Sequence, residues 1–336
     1  MSHVDTGPRT STAEDPLRAG GRGGCRPIPT LYRLPWLLLI FAPWYLKHFM
    51  GQPYRQLPPW ENLRQLLTDP KRRHRIALYD GVMNFILNGY GSLCRRSVNR
   101  RAGRMAVAFA RLAFAFDDEY ERRCARDDSL AFDEVFTGAQ VQQPLHEWRE
   151  FMRPLPTYPA IRSYLERFVR SLYMDYTAGI GRPGGTDDFG RLLRAATLDS
   201  GGFLRAVVHI VALSQGVALD ERVCAQFAAL GVLGKAADDM IDFGADGSAA
   251  RPNLLRTLVA ETPLESAVVG DAWPSGARMN TVWWRRHCPA TFTRYAGMCV
   301  EHYATLDTVW LRLASHLMWV PALLGRATTK DVRGRL

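Results

Sequence analysis

The chain has 336 residues, of which 47% are hydrophobic and 11% aromatic, so most of its length is neither disordered nor fibrous. Lys and Arg outnumber Asp and Glu by 43 to 33, and the net charge of +10 favours an anionic partner: a nucleic acid, a membrane surface or a phosphorylated substrate. The six cysteines lie far apart without a CxxC pair, which indicates free thiols in a reducing compartment. We therefore expect a cytoplasmic protein and leave membrane association open.

The N-terminal part of the chain divides into two predicted segments. Residues 1–27 are rich in Gly, Ser, Thr and Arg and lack an apolar core, so we expect a disordered tail and no signal peptide. Residues 28–58 contain an uncharged apolar run over residues 36–46. This run is shorter than the roughly 20 residues that span a bilayer. The segment is therefore either a buried strap or an interfacial membrane anchor.

From residue 60 onward, apolar residues recur at three- and four-residue spacing, which predicts helices. Three of these segments are apolar on more than one face, as helices in the middle of a bundle are: residues 104–116, 203–213 and 227–234. We predict one all-α domain over residues 59–325, a helical bundle with a central apolar cavity, and a basic tail over residues 326–336. The predicted breaks between helices are rich in Gly, Pro and Asp: residues 154–159, 179–185, 244–252 and 271–276.

The first acidic motif, residues 117–121, directly follows the apolar segment that ends at Phe116. In a helix Asp117 and Glu121 are four residues apart and Asp118 and Glu121 three apart, so their carboxylates share one face. Like charges so placed repel each other unless a cation lies between them.

The second acidic motif, residues 238–246, follows the apolar segment that ends at Gly234. Asp238, Asp242 and Asp246 form one stripe along two helical turns, and Lys235 lies on the same face, where it either forms a salt bridge or reaches a phosphate. Carboxylates in this arrangement suit Mg²⁺, which prefers oxygen ligands and often shares them with phosphate. A solvated acidic face is the alternative for each motif alone. It explains the pair less well, because both motifs continue apolar helices, where unpaired carboxylates are costly.

The ordered pair of acidic motifs resembles the two metal-binding motifs of class I terpene synthases, in the isoprenoid synthase superfamily. Asp117-Asp118-x-x-Glu121 matches the DDxxE form, and Asp238, Asp239 and Asp242 match DDxxD. Asp stands at 242 and 246 where the common second motif has Ser or Thr and Glu. The resulting stripe, followed by Asn253, is more similar to the tetraprenyl-beta-curcumene synthases. The resemblance covers residues 105–255.

The resemblance implies a site for a prenyl diphosphate held by Mg²⁺, with three ions expected and Mn²⁺ as an alternative. The implied metal ligands are the carboxylates of both motifs: Asp117, Asp118, Glu121, Asp238, Asp242 and Asp246. Arg194, Arg294 and Tyr295 correspond to a diphosphate-sensing Arg and to an Arg-Tyr pair. Gly201 belongs to a break at residues 199–202 that is either the family's helix break or an ordinary turn. The remaining substrate-binding candidates are Lys235, Asp239 and Phe114.

We interpret the chain as a Mg²⁺-dependent terpene synthase that ionises a prenyl diphosphate and cyclises or deprotonates the carbocation. The enzyme alternative is a prenyl-coupling synthase, although no GKxxRP-like segment occurs in the N-terminal third. The non-enzyme alternative is a basic helical protein on a membrane surface. A nucleic acid partner is not expected, because the basic runs at residues 71–75 and 95–104 lack interleaved aromatic residues. Peripheral membrane contact and a homodimer stay open.

Overall fold

The computed structural model describes residues 82–124, 132–177, 188–248, 251–272 and 279–324. The predicted N-terminal tail, the strap and the C-terminal tail lie outside these residues. Within the described part every regular element is helical, which confirms the predicted all-α class. The helices are, in chain order, α1 (Met83–Leu93), α2 (Arg100–Cys124), α3 (Phe132–Val135), α4 (Ala139–Met152), α5 (Tyr158–Thr177), α6 (Phe189–Ala196), α7 (Gly202–Ser214), α8 (Glu221–Ile241), α9 (Phe243–Ser248), α10 (Leu254–Ala260), α11 (Pro263–Ala272), α12 (Thr281–His287), α13 (Pro289–Ala304) and α14 (Val309–Leu324).

Helix α8 lies at the centre of the bundle. It contacts α7, α10, α13 and α14, and α7 in turn packs on α2 and α5. Phe227, Leu230 and Leu233 of α8 are fully or almost fully buried. Asp220 begins this helix, because its carboxylate accepts a hydrogen bond from the backbone N–H of Arg222. The apolar segment that the sequence places in the middle of a bundle therefore lies there.

A π-helical turn, Thr197–Gly201, joins α6 and α7 into one continuous helix of 26 residues, Phe189–Ser214. The predicted break at residues 199–202 is therefore a widened turn inside a helix, not a turn between two helices. By length and composition this helix is apolar enough to cross a membrane, and 56% of its most apolar window is buried inside the protein. Its contacts with α2, α5 and α8 are those of a core helix.

The widened turn brings two backbones into direct contact. A Cβ atom on Gly231 of α8 would collide with the carbonyl oxygen of Ser200, and one on Gly201 would lie 3.0 Å from the carbonyl oxygen of Ala228. Only glycine permits so close an approach at Gly231. The π turn is thus packed tightly against the central helix.

The contacts along the Phe189–Ser214 helix fix the directions of its neighbours. Phe203, near its middle, stands edge-on to Phe114 late in α2, while Gln215 at its end donates a hydrogen bond to the carbonyl of Ser97, just before α2. Helix α2 is therefore antiparallel to it. Helix α8 is antiparallel as well, because Gly231 meets Ser200 whereas Glu221, at the start of α8, pairs with Arg205. Helices α2 and α8 consequently run in the same direction.

The predicted break at residues 244–252 is wrong in its first half, because residues 243–248 form α9. The chain bends at Asp242 and resumes the helix at once. The backbone N–H of Asp242 bonds to the carbonyl of Asp238, and that of Asp246 bonds to the carbonyl of Asp242, each at 2.8 Å. The glycines at 244 and 247 do not end the helix, because these four-residue bonds continue across the bend.

Candidate functional site

The second acidic motif divides into carboxylates that reach solvent and carboxylates that do not. Asp238 is exposed and Asp242 is half-buried, whereas Asp239 and Asp246 are buried. The helical bonds across Asp242 preserve the predicted spacing of the stripe. Burial raises the pKa of Asp246, and the nearby charges of Asp242 and Asp238 raise it further. The charges of Asp238 and Asp242 therefore act on the buried carboxylate of Asp246.

Asp239 is an anchor between two helices. Its Oδ1 atom lies 2.8 Å from the Nζ atom of Lys235, and its Oδ2 atom accepts a 2.7 Å hydrogen bond from the backbone N–H of Leu254, at the start of α10. Burial raises the pKa of Asp239 to about 6, and the ammonium of Lys235 opposes that rise, so the carboxylate is ionised at neutral pH. Of the two alternatives for Lys235, the structure shows the salt bridge.

Asn253 connects the motif to α10, and the candidate residues did not include it. Its Nδ2 atom donates 2.8 Å hydrogen bonds to the backbone carbonyl of Asp239 and to Oδ2 of Asp246. Its Oδ1 atom accepts a hydrogen bond from the backbone N–H of Arg256, which caps the helix. In the sequence, Asn253 lies seven residues after Asp246 and directly before an apolar run, a position that is typical of a helix cap. Asn253 therefore fixes the orientation of the Asp246 carboxylate.

The first acidic motif has the same division between exposed and buried carboxylates. Asp117 is exposed and Asp118 is half-buried, while Glu119 between the predicted ligands is fully buried. The backbone of Glu121 lies in α2, and its side chain is outside the described part of the structure. Position 119, like 239, is the inward-facing acidic residue of its motif.

Glu119 holds the chain that follows the first motif. Arg122 and Arg123 donate hydrogen bonds of 2.6 and 2.7 Å to Oε1 of Glu119, and those from Arg122 lower its pKa the most. Arg123 also donates to the backbone carbonyl of Glu134 and to the hydroxyl of Thr137. The two arginines at three and four residues after Glu119 were the sequence signal for this network.

Both acidic motifs lie at the same end of the bundle, on either side of the Phe189–Ser214 helix. Asp118 lies about one helical turn beyond Phe114, and Asp238 lies about two turns beyond Gly231, towards the same end because α2 and α8 run in the same direction. Arg194 lies about two turns before Gly201 on the antiparallel helix, level with Asp238, and its side chain is exposed. The fold thus brings Arg194 and the two motifs to one end.

Aromatic rings lie between the helices just below this end. Phe114 is edge-on to Phe203 at 5.4 Å between ring centroids, and Phe109 is stacked on Phe203 at 5.9 Å. Trp148 completes the group, 5.6 Å from Phe109. Phe114 and Phe203 are only partly buried. Sequence reasoning named Phe114 and missed Phe203, although Phe203 directly follows Gly201 at the end of the π turn and Gly202 at the start of α7.

The candidate pair Arg294-Tyr295 is divided between the surface and the core. The Tyr295 side chain is fully buried, and its hydroxyl donates a hydrogen bond to the backbone carbonyl of Ala236 on α8. Arg294 is exposed, forms a 2.7 Å ion pair with Glu261 and lies over the ring of Phe189. Tyr295 therefore ties α13 to the helix of the second motif, one turn before Asp239.

The donor set at this end of the bundle suits a hard divalent cation. Among the side chains that the structure describes, no group of three or more His, Cys, Asp or Glu is placed to hold one ion. Mg²⁺ does not require such a group, since it is usually bound by one or two carboxylates together with waters and phosphate oxygens of a substrate. Asp117 and Asp238 are exposed and Asp118 and Asp242 half-buried, so their carboxylates are the kind of group that such a cation can reach.

No protein-family model and no curated protein matches the chain. Its fold is similar to that of geranylgeranyl pyrophosphate synthetase from Pyrococcus horikoshii, with a TM-score of 0.48 and 9% identity over 87% of this chain and 99% of that chain. It is also similar to a polyprenyl synthase from Caulobacter crescentus complexed with calcium and isoprenyl diphosphate. That similarity has a TM-score of 0.40 and 16% identity over 89% of this chain and 97% of the other. Similarity at this level assigns neither a family nor an activity.

Proposed function

We propose that the chain is a divalent-cation-dependent enzyme of the isoprenoid synthase superfamily that acts on a prenyl diphosphate. One observation carries the proposal: two acidic motifs at the ends of apolar helices lie at the same end of the bundle, beside the helix that bears Arg194. A solvated acidic face does not account for this pairing, because the motifs are about 120 residues apart in the chain and the fold brings them to one end.

The diphosphate would be held through divalent cations bound by carboxylates of both acidic motifs. The proposed cation ligands are Asp117, Asp118 and Glu121 on α2, Asp238 at the end of α8, Asp242 directly after it and Asp246 in α9. Bound divalent cations would neutralise the diphosphate and act as Lewis acids towards it. Arg194 would donate hydrogen bonds to the diphosphate oxygens, which guanidinium groups bind well.

The prenyl chain would extend from this end of the bundle into the interior, over Phe109, Phe114 and Phe203. Their rings exclude water and present π faces, which attract a carbocation by about 0.5 to 2 kcal/mol each. The partial burial of Phe114 and Phe203 supports this placement, since a ring that lines a cavity keeps one face uncovered.

Between the two reactions open to such a site, we propose cyclisation or deprotonation, as in terpene synthases. Asp239 is the residue that would make the second motif a DDxxD pair, but its carboxylate already pairs with the ammonium of Lys235, whereas Asp246 accepts its hydrogen bond from the neutral amide of Asn253. The remaining stripe of Asp238, Asp242 and Asp246 has the spacing of the cyclase motif. Prenyl coupling is the second candidate, because the string Asp238-Asp239-x-x-Asp242 is also a DDxxD motif.

The full chain, incubated with geranyl, farnesyl, geranylgeranyl or geranylfarnesyl diphosphate, tests the proposal. We expect release of inorganic diphosphate that requires Mg²⁺ and stops with EDTA, with a hydrocarbon or alcohol product in mass spectrometry. Asp118→Asn and Asp242→Asn are expected to lower kcat by at least about 100-fold, as when a charge-stabilising group is lost. Exposed Glu301 on α13 provides the matched control, and Glu301→Gln is expected to retain activity.

The same assay separates the alternatives. If isopentenyl diphosphate is required and a longer prenyl diphosphate forms, the reaction is prenyl coupling and not cyclisation. If none of the four substrates releases diphosphate with or without isopentenyl diphosphate, the proposed function is wrong. Binding of the chain to anionic liposomes without any Mg²⁺-dependent turnover would favour the membrane-surface alternative.

A further inference from the structure

We propose that Lys235 is a fixed cation of the second acidic motif: it neutralises the buried Asp239 carboxylate permanently, so that this carboxylate needs no metal ion. Divalent cations would then bind the stripe of Asp238, Asp242 and Asp246 without Asp239. This second statement rests on the proposed function, whereas the first concerns the metal-free protein and is independent of it.

The position of Lys235 supports this role. Its ammonium lies 2.8 Å from the carboxylate of Asp239, whose side chain is 0% exposed, while the Lys235 side chain is 28% exposed. The charges of Asp238 and Asp246 also act on Lys235. The ammonium thus pairs directly with Asp239, a fully buried carboxylate that a hydrated metal ion would reach only at the cost of losing water.

The neighbouring contacts hold the two buried carboxylates in place. Leu254 donates its backbone N–H to Asp239, and Asn253 donates to Asp246, so both carboxylates are hydrogen-bonded to the start of α10. Without a cation, two buried carboxylates within one motif would repel each other and lose hydration. Lys235 supplies the missing charge from the chain itself, and one consequence follows: removing divalent cations leaves the fold intact.

Thermal unfolding without substrate tests the proposal, on the full chain with EDTA or with Mg²⁺. For the native protein we expect Mg²⁺ to raise Tm by less than about 2 °C. Lys235→Met is expected to lower Tm in EDTA by about 5 °C or more, because it leaves Asp239 buried and unpaired. Added Mg²⁺ is expected to restore several degrees of that loss, and Mg²⁺ is expected to bind this variant at least about 10-fold more tightly in calorimetric titration.

Two further variants keep the result decisive. Arg222→Met breaks a 2.6 Å ion pair with Asp307 at the other end of α8, on an exposed surface, and is expected to change Tm little with or without Mg²⁺. The double variant Lys235→Met/Asp239→Asn removes both members of the buried pair. We expect its Tm to be closer to that of the native protein than to that of Lys235→Met. If the single variant does not fold, the Tm of the double variant is compared with that of the native protein instead.

The proposal is overturned if Lys235→Met loses no more stability than Arg222→Met, or if its Tm and Mg²⁺ affinity match those of the native protein. None of these measurements involves a prenyl diphosphate. A failure of the turnover assay therefore leaves the role of Lys235 standing, and a failure here leaves the proposed function standing.

Discussion

Asn253 shows how a single side chain can orient a functional carboxylate. It bonds to the Asp239 carbonyl and to the Asp246 carboxylate, and it caps α10, all while 3% exposed. Alanine at this position removes the cap and leaves the Asp246 carboxylate without its amide donor. The role is structural, but the residue that it orients belongs to the proposed cation site.

We predict that Asn253→Ala lowers the free energy of unfolding by about 2 to 4 kcal/mol, from the lost cap and the unsatisfied buried carboxylate together. Asn280 is a matched control, because its side chain caps α12 by accepting a 2.9 Å hydrogen bond from the backbone N–H of Trp283. Asn280→Ala should cost only the cap, about 1 kcal/mol. Urea unfolding measures both, and equal losses would show that the bond to Asp246 contributes nothing.

The buried acidic residues are where reasoning from the sequence was least complete. The i, i+4 spacing placed Asp238, Asp242 and Asp246 on one stripe, and the helical hydrogen bonds bear out that geometry. The same spacing gave no reason to expect Asp239 or Glu119 to face inward. The groups that bind them lie partly outside their own helices. Asp239 accepts a hydrogen bond from Leu254, and Arg123 connects Glu119 to the turn at Thr137.

At the level of helices, the contact between the π turn and α8 decides how closely the two central helices approach. Gly231 and Gly201 let the two backbones meet, and the widened turn directs the carbonyl of Ser200 at Gly231. This contact sets the axial position of the Phe189–Ser214 helix relative to α8. The positions of Arg194 and Asp238 at one end of the bundle depend on it.

We predict that Gly231→Ala lowers the free energy of unfolding by about 1 to 3 kcal/mol, because its Cβ atom collides with backbone that cannot move independently. Gly270 in α11 is the control, since nothing lies within 4 Å of a Cβ atom built there. Gly270→Ala should raise stability by about 0.5 to 1 kcal/mol through helix propensity. Denaturant unfolding gives both values, and a stabilised Gly231→Ala would contradict the close contact.

The short helix α9 shows that composition alone does not predict whether a glycine-rich segment is a loop or a helix. Glycines at 244 and 247 indicated a loop, yet residues 243–248 are helical. A Cβ atom at Gly247 would meet the guanidinium of Arg256, so the glycine there makes room for a neighbouring side chain and does not mark a turn. A sequence pattern cannot distinguish these two uses of glycine without the partner.

At the level of the whole molecule, α2 and α8 run in the same direction, and this places both acidic motifs at the same end of the bundle. If α8 ran in the opposite direction, its acidic end would lie beside the start of α2 and the two motifs would be at opposite ends. The direction is set by contacts along the Phe189–Ser214 helix, from the Gln215 contact with Ser97 to the Ser200 contact with Gly231.

Spin-label distances test this arrangement in solution. Arg100, Glu221 and Asp238 are exposed, and α8 extends about 25 Å between the last two. With labels on introduced cysteines and reactive native cysteines replaced by serine, we predict that the Arg100 to Asp238 distance exceeds the Arg100 to Glu221 distance by about 20 Å. The reverse order would mean that the two acidic motifs lie at opposite ends of the bundle.

The sequence by itself determined the all-α class, the central position of the apolar segments and the two acidic motifs at helix ends. These features depend on apolar periodicity and on residue spacing within one helix, which are local properties. The tertiary structure alone decided which carboxylates are buried, that Lys235 pairs with Asp239, and that the motifs lie at the same end of the bundle. The reason is physical: desolvation and ion pairing depend on groups that the fold brings together from distant parts of the chain.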